Sequence, residues 1–302
     1  MKDIVYVEHQ HYVSVVQSSF RFVNLVSKEE RFIPFDDVEW LIFDHERSYF
    51  SNRLVSLCME KNIGVMFCDK KHSPLTCLTP DYGHSQKLAR LKLQIALTKK
   101  MKNRLWRKII IAKINNQADC IALMTTNKQT AKTIQLMGKQ VTEGDKTNRE
   151  SQAARVYFPT LFGTGFKRGR YDDAVNASLN YGYALLRAVI RKELIIHGFE
   201  PSLGINHESS ENPFNLSDDM IESYRPFVDA YVYEMIYTDL VLSLGIEEKK
   251  KLLHIFFEKC IIEGKVCTIL DAIKVTVISY KHCLEEDSSA PLKLPVFIEV
   301  GK

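Results

Sequence analysis

The chain has 302 residues, 45% of them apolar and 26% charged, with a net charge of +4. This composition excludes a disordered or fibrous chain and supplies enough apolar side chain for two packed units. Met1-Lys2-Asp3-Ile4 lacks the charged-then-apolar start of a secretory signal, and no apolar run reaches the length of a membrane span, so a soluble cytoplasmic protein is expected. The seven cysteines (Cys58, Cys68, Cys77, Cys120, Cys260, Cys267, Cys283) are odd in number and scattered, with no C-x-x-C pair. They read as buried reduced thiols, not as a disulfide or zinc framework.

The first eighty or so residues read as β-rich. Ile4-Val5-Tyr6-Val7, Tyr12 to Val16, Phe20-Arg21-Phe22, Val38 to Phe43 and Gly64 to Phe67 are short runs of β-branched and aromatic residues. His9-Gln10-His11 and Ser27 to Glu30 separate the early ones. One helix interrupts them, with Leu54, Leu57 and Cys58 at helical spacing and Asn62 as its stop. After Tyr82 the period changes. Leu88, Leu91, Ile95, Met101, Leu105 and Ile109 form a predicted apolar stripe, and from there the chain reads as helical. Ala174 to His197 is a long amphipathic helix that Gly198 should end; Phe227 to Leu244 and Lys249 to Ile262 are two further predicted helices. The tail from Glu285 reads as loosely held. The expected architecture is therefore α+β: residues 1–82 form a small β-rich domain and residues 83–302 a larger all-helical one.

Charge is segregated. Between Tyr82 and Ala118 there is no Asp or Glu, yet Lys87, Arg90, Lys92, Lys99, Lys100, Lys102, Arg104, Arg107, Lys108 and Lys113 contribute +10, leaving −6 for the remainder. Such a stretch points to a polyanion partner, against the plainer reading of a solvated helix face. Gly163 to Arg170 reads as a flexible basic loop suited to DNA. Arg187, Arg191 and Lys192 are either phosphate contacts or the wet face of their helix. Trp40 and Trp106 read as packing residues.

Three segments carry candidate chemistry. Asn148 or Thr147 can cap a helix that places Glu150 in its first turn, a position the helix dipole favours without any function. His207 follows a loop bent by Gly198, Pro201 and Gly204. If Ser217 or Asp218 caps the next helix, Asp219 and Glu222 share one face, where two carboxylates repel unless a cation or proton lies between them. That is a metal-site pattern, and also what an acidic helix start looks like.

In order along the chain, Glu-x-x-x-Ala-x-x-Tyr-Phe spans Glu150 to Phe158 and Asn-Ala-x-Leu-Asn-Tyr-Gly-Tyr spans Asn176 to Tyr183. Gly-x-x-Pro-x-x-Gly-x-x-His follows from Gly198 to His207, then Asp-x-x-Glu-x-x-Arg-Pro-x-Val-Asp from Asp219 to Asp229. This series resembles CRISPR-associated protein one, the endonuclease and integrase of spacer acquisition, and covers essentially the whole chain. It looks closest to the variety that accompanies a single-protein RNA-guided effector nuclease (type II).

The resemblance implies a β-sandwich-like N-terminal domain that dimerises and a helical catalytic domain. It implies Glu150, His207 and Glu222 as metal ligands, with Asp219 (or its neighbour Asp218) as an auxiliary acidic residue of the catalytic site. Ser223-Tyr224 departs from the commoner Pro-Phe of the family. Two carboxylates and an imidazole suit Mg²⁺ or Mn²⁺, although zinc accepts the same donors. Implied partners are double-stranded DNA (spacer precursor and repeat array), a second copy of the chain, a small dimeric companion, a ring-forming adaptation factor and the effector nuclease. Three readings follow: an integrase in which a DNA 3′-hydroxyl attacks a phosphodiester, a nuclease or branched-DNA resolvase that uses water instead, and a DNA-binding subunit whose acidic cluster is structural.

Overall fold

A computed structural model describes residues 2–79, 86–171 and 173–298. Contacts divide the chain into two units, Met1–His84 and Ser85–Lys302. The boundary expected near residue 82 falls on residues 80–85, outside the described ones.

The first unit contains strands β1 (Asp3–Val7), β2 (His11–Val16), β3 (Ser19–Asn24), β4 (Glu30–Pro34), β5 (Val38–Phe43) and β6 (Tyr49–Phe50), then helix α1 (Asn52–Glu60) and strands β7 (Gly64–Cys68) and β8 (Pro74–Leu78). They build two four-stranded sheets, ordered β1-β5-β7-β8 and β4-β3-β2-β6. In the first, β1, β5 and β7 run parallel and β8 returns antiparallel. Every residue of β5 is buried, which is why Val38 to Phe43 lacks the alternation of a half-exposed strand. Val13, Phe20 and Phe22 from one sheet, Leu41, Phe43 and Val65 from the other, and Leu54 from α1 share a single core. Ser51 caps α1, and Asn62, the stop that the sequence suggested, follows it at positive φ. Strand β4 replaces part of an expected spacer. Its Glu30 and Arg31 stay exposed, so charge hid a strand that pairs with β3.

The second unit is helical: α2 (Lys87–Ile95), α3 (Lys99–Met124), α4 (Lys128–Lys139), α5 (Arg149–Phe162), α6 (Ala174–Ile196), α7 (Asn215–Ile221), α8 (Arg225–Tyr237) and α9 (Ile246–Leu253). A short hairpin follows, β9 (Lys259–Ile262) with β10 (Lys265–Thr268), then α10 (Ile269–Glu285). Helix α3 is the spine, packed against α4, α5 and α8. Its Leu105, Ile109, Ile110, Ile114 and Ile121 are buried, and so are the polar Lys113, Asn116 and Gln117.

Five expectations for this unit are corrected. The stripe from Leu88 to Ile109 is broken, because Thr98 caps a new helix and α2 turns its polar side inward. Gln94 exchanges two hydrogen bonds with the Glu200 backbone and Arg90 reaches Glu285, while Leu88 and Ile95 are 64% and 69% exposed. The predicted helix over Phe227 to Leu244 ends at Tyr237. The one over Lys249 to Ile262 stops at Leu253, and the hairpin takes its end because Glu263 and Gly264 both adopt positive φ, the geometry of a tight two-residue turn. This hairpin also makes the unit helical without being all-helical. Finally, the tail is tied down. Lys108 Nζ donates to the carbonyls of Ser289, Ala290 and Leu292, Asn116 donates to Pro295 O, and Phe297 stacks on Phe227 at 4.1 Å.

All seven cysteines are free thiols, five of them buried. Among the described residues no helix is long and apolar enough to cross a membrane.

Gly182 lets α8 approach α6, since a Cβ there would lie 2.5 Å from Val228 Cγ1, a stiff β-branched atom. Gly182→Ala gains about 1 kcal/mol of helix propensity but incurs about 1–3 kcal/mol of overpacking. Urea denaturation is expected to show a net loss of up to about 2 kcal/mol.

Candidate active site

The site is assembled where α3, α5, the segment after α6, and the α7–α8 pair meet. At the start of α5, Asn148 takes a left-handed conformation and its side chain accepts from Ser151 N. Asp145 accepts from the backbone N–H groups of Arg149 and Glu150 at 2.9 and 3.0 Å. With the first-turn donors filled by these neighbours, Glu150 is not needed as a cap. Its Oε1 lies 2.6 Å from Lys113 Nζ.

Lys113 also lies 2.5 Å from Glu222 Oε2. Glu222 closes α7, is only 5% exposed, and accepts from Arg225 Nε at 3.0 Å through Oε1. Burial alone would push this carboxyl up. Arg225 and Lys113, with help from His207, outweigh burial and hold it down at about 2. Burial likewise opposes the charge on Lys113, but Glu222 and Glu150 more than compensate and its pKa is raised. Two glutamates far apart in sequence thus converge on one positively charged nitrogen.

His207 is placed by Asp219. That carboxylate is 0% exposed and accepts from the backbone N–H of Ile205 (2.5 Å), Asn206 (3.0 Å) and His207 (3.1 Å). It also lies 2.7 Å from His207 Nδ1. Such a set stabilises a buried negative charge and leaves Nε2 as the nitrogen not engaged by Asp219. The hydrogen bond to Asp219 leads in raising the His207 pKa above its usual 6.5; burial opposes it, and the charges of Asp219 and Glu222 add to it. The edge of Trp106 packs against the imidazole at 5.9 Å, so that tryptophan packs on the site itself. Gly204 is required by close approach: a Cβ there would lie 2.1 Å from His207 O and 2.9 Å from Asp219 Oδ2.

Asp219 and Glu222 therefore do not share a cation with each other, since each has its own partners. Neither Ser217 nor Asp218 caps α7, which begins earlier, at Asn215, so both lie inside the helix. Asp218 accepts from Arg187 Nε and Asn212 Nδ2, whereas Asp219 is the acidic residue that hydrogen-bonds the imidazole. Among the described residues no three His, Cys, Asp or Glu side chains are already arranged around one metal position, because Lys113 stands between the glutamates. Carboxylate and imidazole are nonetheless donor types that divalent cations take. Two carboxylate oxygens point at one atom, and His207 and Glu222 are close enough to alter each other's protonation.

A second layer lies behind Arg225, whose guanidinium covers the Tyr183 ring at 4.4 Å. The Tyr183 hydroxyl donates to Asp229 Oδ1 and the Tyr157 hydroxyl to Oδ2 at 2.9 Å. Burial pushes Asp229 up to about 6, against those two hydrogen bonds. Sequence reasoning assigned no role to Tyr157, Tyr183, Arg225 or Asp229, although all four stood in the quoted motifs.

Arg168, Arg170, Arg187 and Arg225 line a cavity of about 440 Å³ with Asn180 and Tyr183. Arg168 is fixed there by Asn176 and Asn180. Lys192 is buried beside Glu193, so it belongs to neither reading offered for it. The basic stretch is partly neutralised within the fold, although only Arg90 and Lys113 of its ten charges are buried. Arg90, Lys102, Arg104 and Lys113 pair with acids, and Arg107 and Lys108 hold backbone carbonyls. Lys87, Lys92, Lys99, Lys100, Arg104 and Arg107 are exposed.

The family described as "CRISPR associated protein Cas1" matches residues 4–251 of this chain. A CRISPR-associated endonuclease Cas1 from Neisseria meningitidis serogroup C (strain 8013) is 35% identical over 270 residues, 88% of each chain. Among solved structures, a casposase bound to integration product superposes with a TM-score of 0.78 at 18% identity, covering 95% of this chain and 92% of that one. A chain of a Cas6-RT-Cas1–Cas2 complex gives 0.74 at 17% identity, covering 99% of this chain and 36% of that one. At such identities the structures share the fold. The motif order, the α+β architecture and the family match together define a class, the Cas1 fold with its β-rich first part and helical second part. This chain belongs to the CRISPR-associated Cas1 family.

The coupling of His207 to Asp219 has a measurable signature. A raised histidine pKa contributes stability that is fully present below the unfolded value near 6.5 and is lost as pH rises through the folded one. In Asp219→Asn, NMR titration is expected to find the His207 pKa lowered toward 6.5 and that alkaline loss of stability diminished. An unshifted titration would remove Asp219 from the role described.

Proposed function

We propose that this protein is a metal-dependent DNA endonuclease and integrase of CRISPR adaptation. It inserts short spacers into a repeat array by attack of a DNA 3′-hydroxyl on a phosphodiester. The observation that carries the proposal is the convergence of Glu150 and Glu222 on one cationic position, with a histidine that is oriented by a buried aspartate and acts electrostatically on Glu222. Glu150, His207 and Glu222 would hold Mg²⁺ or Mn²⁺. When bound, such an ion polarises the scissile phosphate and stabilises charge on the attacking and leaving oxygens.

The remaining work falls to the chain itself. Asp219 fixes the imidazole through Nδ1 and so presents Nε2. Arg225, held by Glu222 and stacked on Tyr183, stands at the boundary between the carboxylates and the arginine-lined cavity. Arg168, Arg170 and Arg187 in that cavity would receive phosphates, for which the planar guanidinium is suited. Without a protein nucleophile the incoming DNA end supplies the attacking oxygen, as the reading requires.

Support for this reading comes from the Neisseria relative, which is named an endonuclease, and the casposase neighbour, which carries an integration product. A neighbouring chain belongs to an assembly named with Cas2, which supports a small companion as partner. We infer that the protein acts as a homodimer in which the β-rich domain dimerises and the helical domain catalyses. The type II subtype, with its ring-forming factor and effector nuclease, rests on the sequence resemblance alone.

His207→Ala is expected to abolish Mn²⁺-supported strand transfer while the protein stays folded. The loss should exceed the roughly 10–100-fold that a supporting residue costs. Unchanged activity would rule out the site. A labelled 3′-hydroxyl donor should yield a longer covalent product; cleavage without that product would favour a nuclease that does not join ends.

A further inference from the structure

The position between Glu150 and Glu222 has a tenant. Lys113 Nζ lies 2.6 Å from Glu150 Oε1 and 2.5 Å from Glu222 Oε2. A divalent ion of this class would contact carboxylate oxygens at about 2.0–2.2 Å. The same two oxygens cannot hold an ammonium between them and a metal between them together.

Charge leads to the same exclusion. Lys113 and Arg225 together balance Glu150 and Glu222. A dication added between two carboxylates already neutralised in this way would bring excess positive charge into a largely buried site, which is disfavoured unless one cation withdraws. Arg225 is held by its stacking on Tyr183 as well as by Glu222. Lys113 is held at its charged end by the two glutamates. Its backbone is fixed, since Ile109, Ile110 and Ile114 around it are fully buried, but its four-carbon stem can rotate.

We propose that Lys113 is a built-in competitor of the catalytic cation: its ammonium takes the ion's place between Glu150 and Glu222 and must withdraw for the ion to enter. The site thereby keeps its two carboxylates together and neutralised whether or not an ion is bound, and metal affinity is set by exchange of one cation for another. This inference rests on the reading of Glu150 and Glu222 as metal ligands.

The test uses Mn²⁺ binding and thermal melting of the full chain, with no activity assay. Lys113→Met keeps the volume and removes the charge. Mn²⁺ affinity is expected to tighten by about tenfold or more. Without Mn²⁺ the variant should melt below the wild type, because two glutamates are left facing each other, and saturating Mn²⁺ should close that gap. Unchanged or weaker affinity would overturn the proposal. So would a melting deficit that persists at saturating Mn²⁺, for the lysine would then be needed alongside the ion.

Lys113→Arg keeps the charge and provides a second arm should the first variant fail to fold. Its guanidinium grips carboxylates more firmly, so Mn²⁺ affinity should weaken by about tenfold; wild-type affinity would count against the exchange. His207→Ala, measured in parallel, separates the two levels of the argument. If it leaves Mn²⁺ binding unaltered, the metal site itself is misassigned. If it weakens binding while the Lys113 variants do not alter it, only the exchange fails.

Discussion

A carboxylate taken out of water must find its counter-charge or hydrogen-bond donors within the fold, and in the α7–α8 segment three of them do so in three different ways. Asp219 is satisfied by three backbone N–H groups and an imidazole. Glu222 is satisfied by an ammonium and a guanidinium. Asp229 accepts two tyrosine hydroxyls. Each solution recruits a different part of the chain: the loop after α6, the spine helix α3, and tyrosines from the separate helices α5 and α6. Meeting the needs of three acids along one short stretch therefore gathers most of the helical unit around the site.

The ordering of these environments also divides labour. Asp219 is saturated and acts as an organiser of the loop, with Gly204 giving it room. Glu222 keeps its charge down to about pH 2 and remains a donor able to meet a cation. Asp229, whose proton is held up to about pH 6 by burial, serves the tyrosine layer behind Arg225.

Much of this was visible in the amino-acid string, because its signals are local. Val38 to Phe43 reads as a strand from its β-branched and aromatic residues, and Gly198, which takes a positive φ, marks the end of α6. Glu150, His207, Asp219 and Glu222 stood out because four ordered motifs framed them. What stayed hidden depends on long-range partners. The inward polar face of α2 needs the Glu200 backbone and Glu285, neither of which local periodicity can announce. Lys113 was counted as one more charge in a basic stretch, and only folding reveals that its acids sit on α5 and at the end of α7. The hairpin after α9 did have a local signal, Glu263-Gly264 between two short apolar runs, which helical periodicity masked.

The anchoring of residues 289–297 on α3 carries a consequence for biosynthesis. Lys108 and Asn116 obtain their acceptors, and Phe227 its stacking partner, from a segment translated well after they are. The N-terminal sandwich closes on contacts within its own unit and can mature on the ribosome. Helix α3 emerges early yet has to wait, with a buried-type amide and ammonium unpaired, for sequence more than a hundred residues downstream. Completion of the helical unit therefore waits on synthesis of that distant segment, and the interval before it is when α3 has most need of chaperone protection.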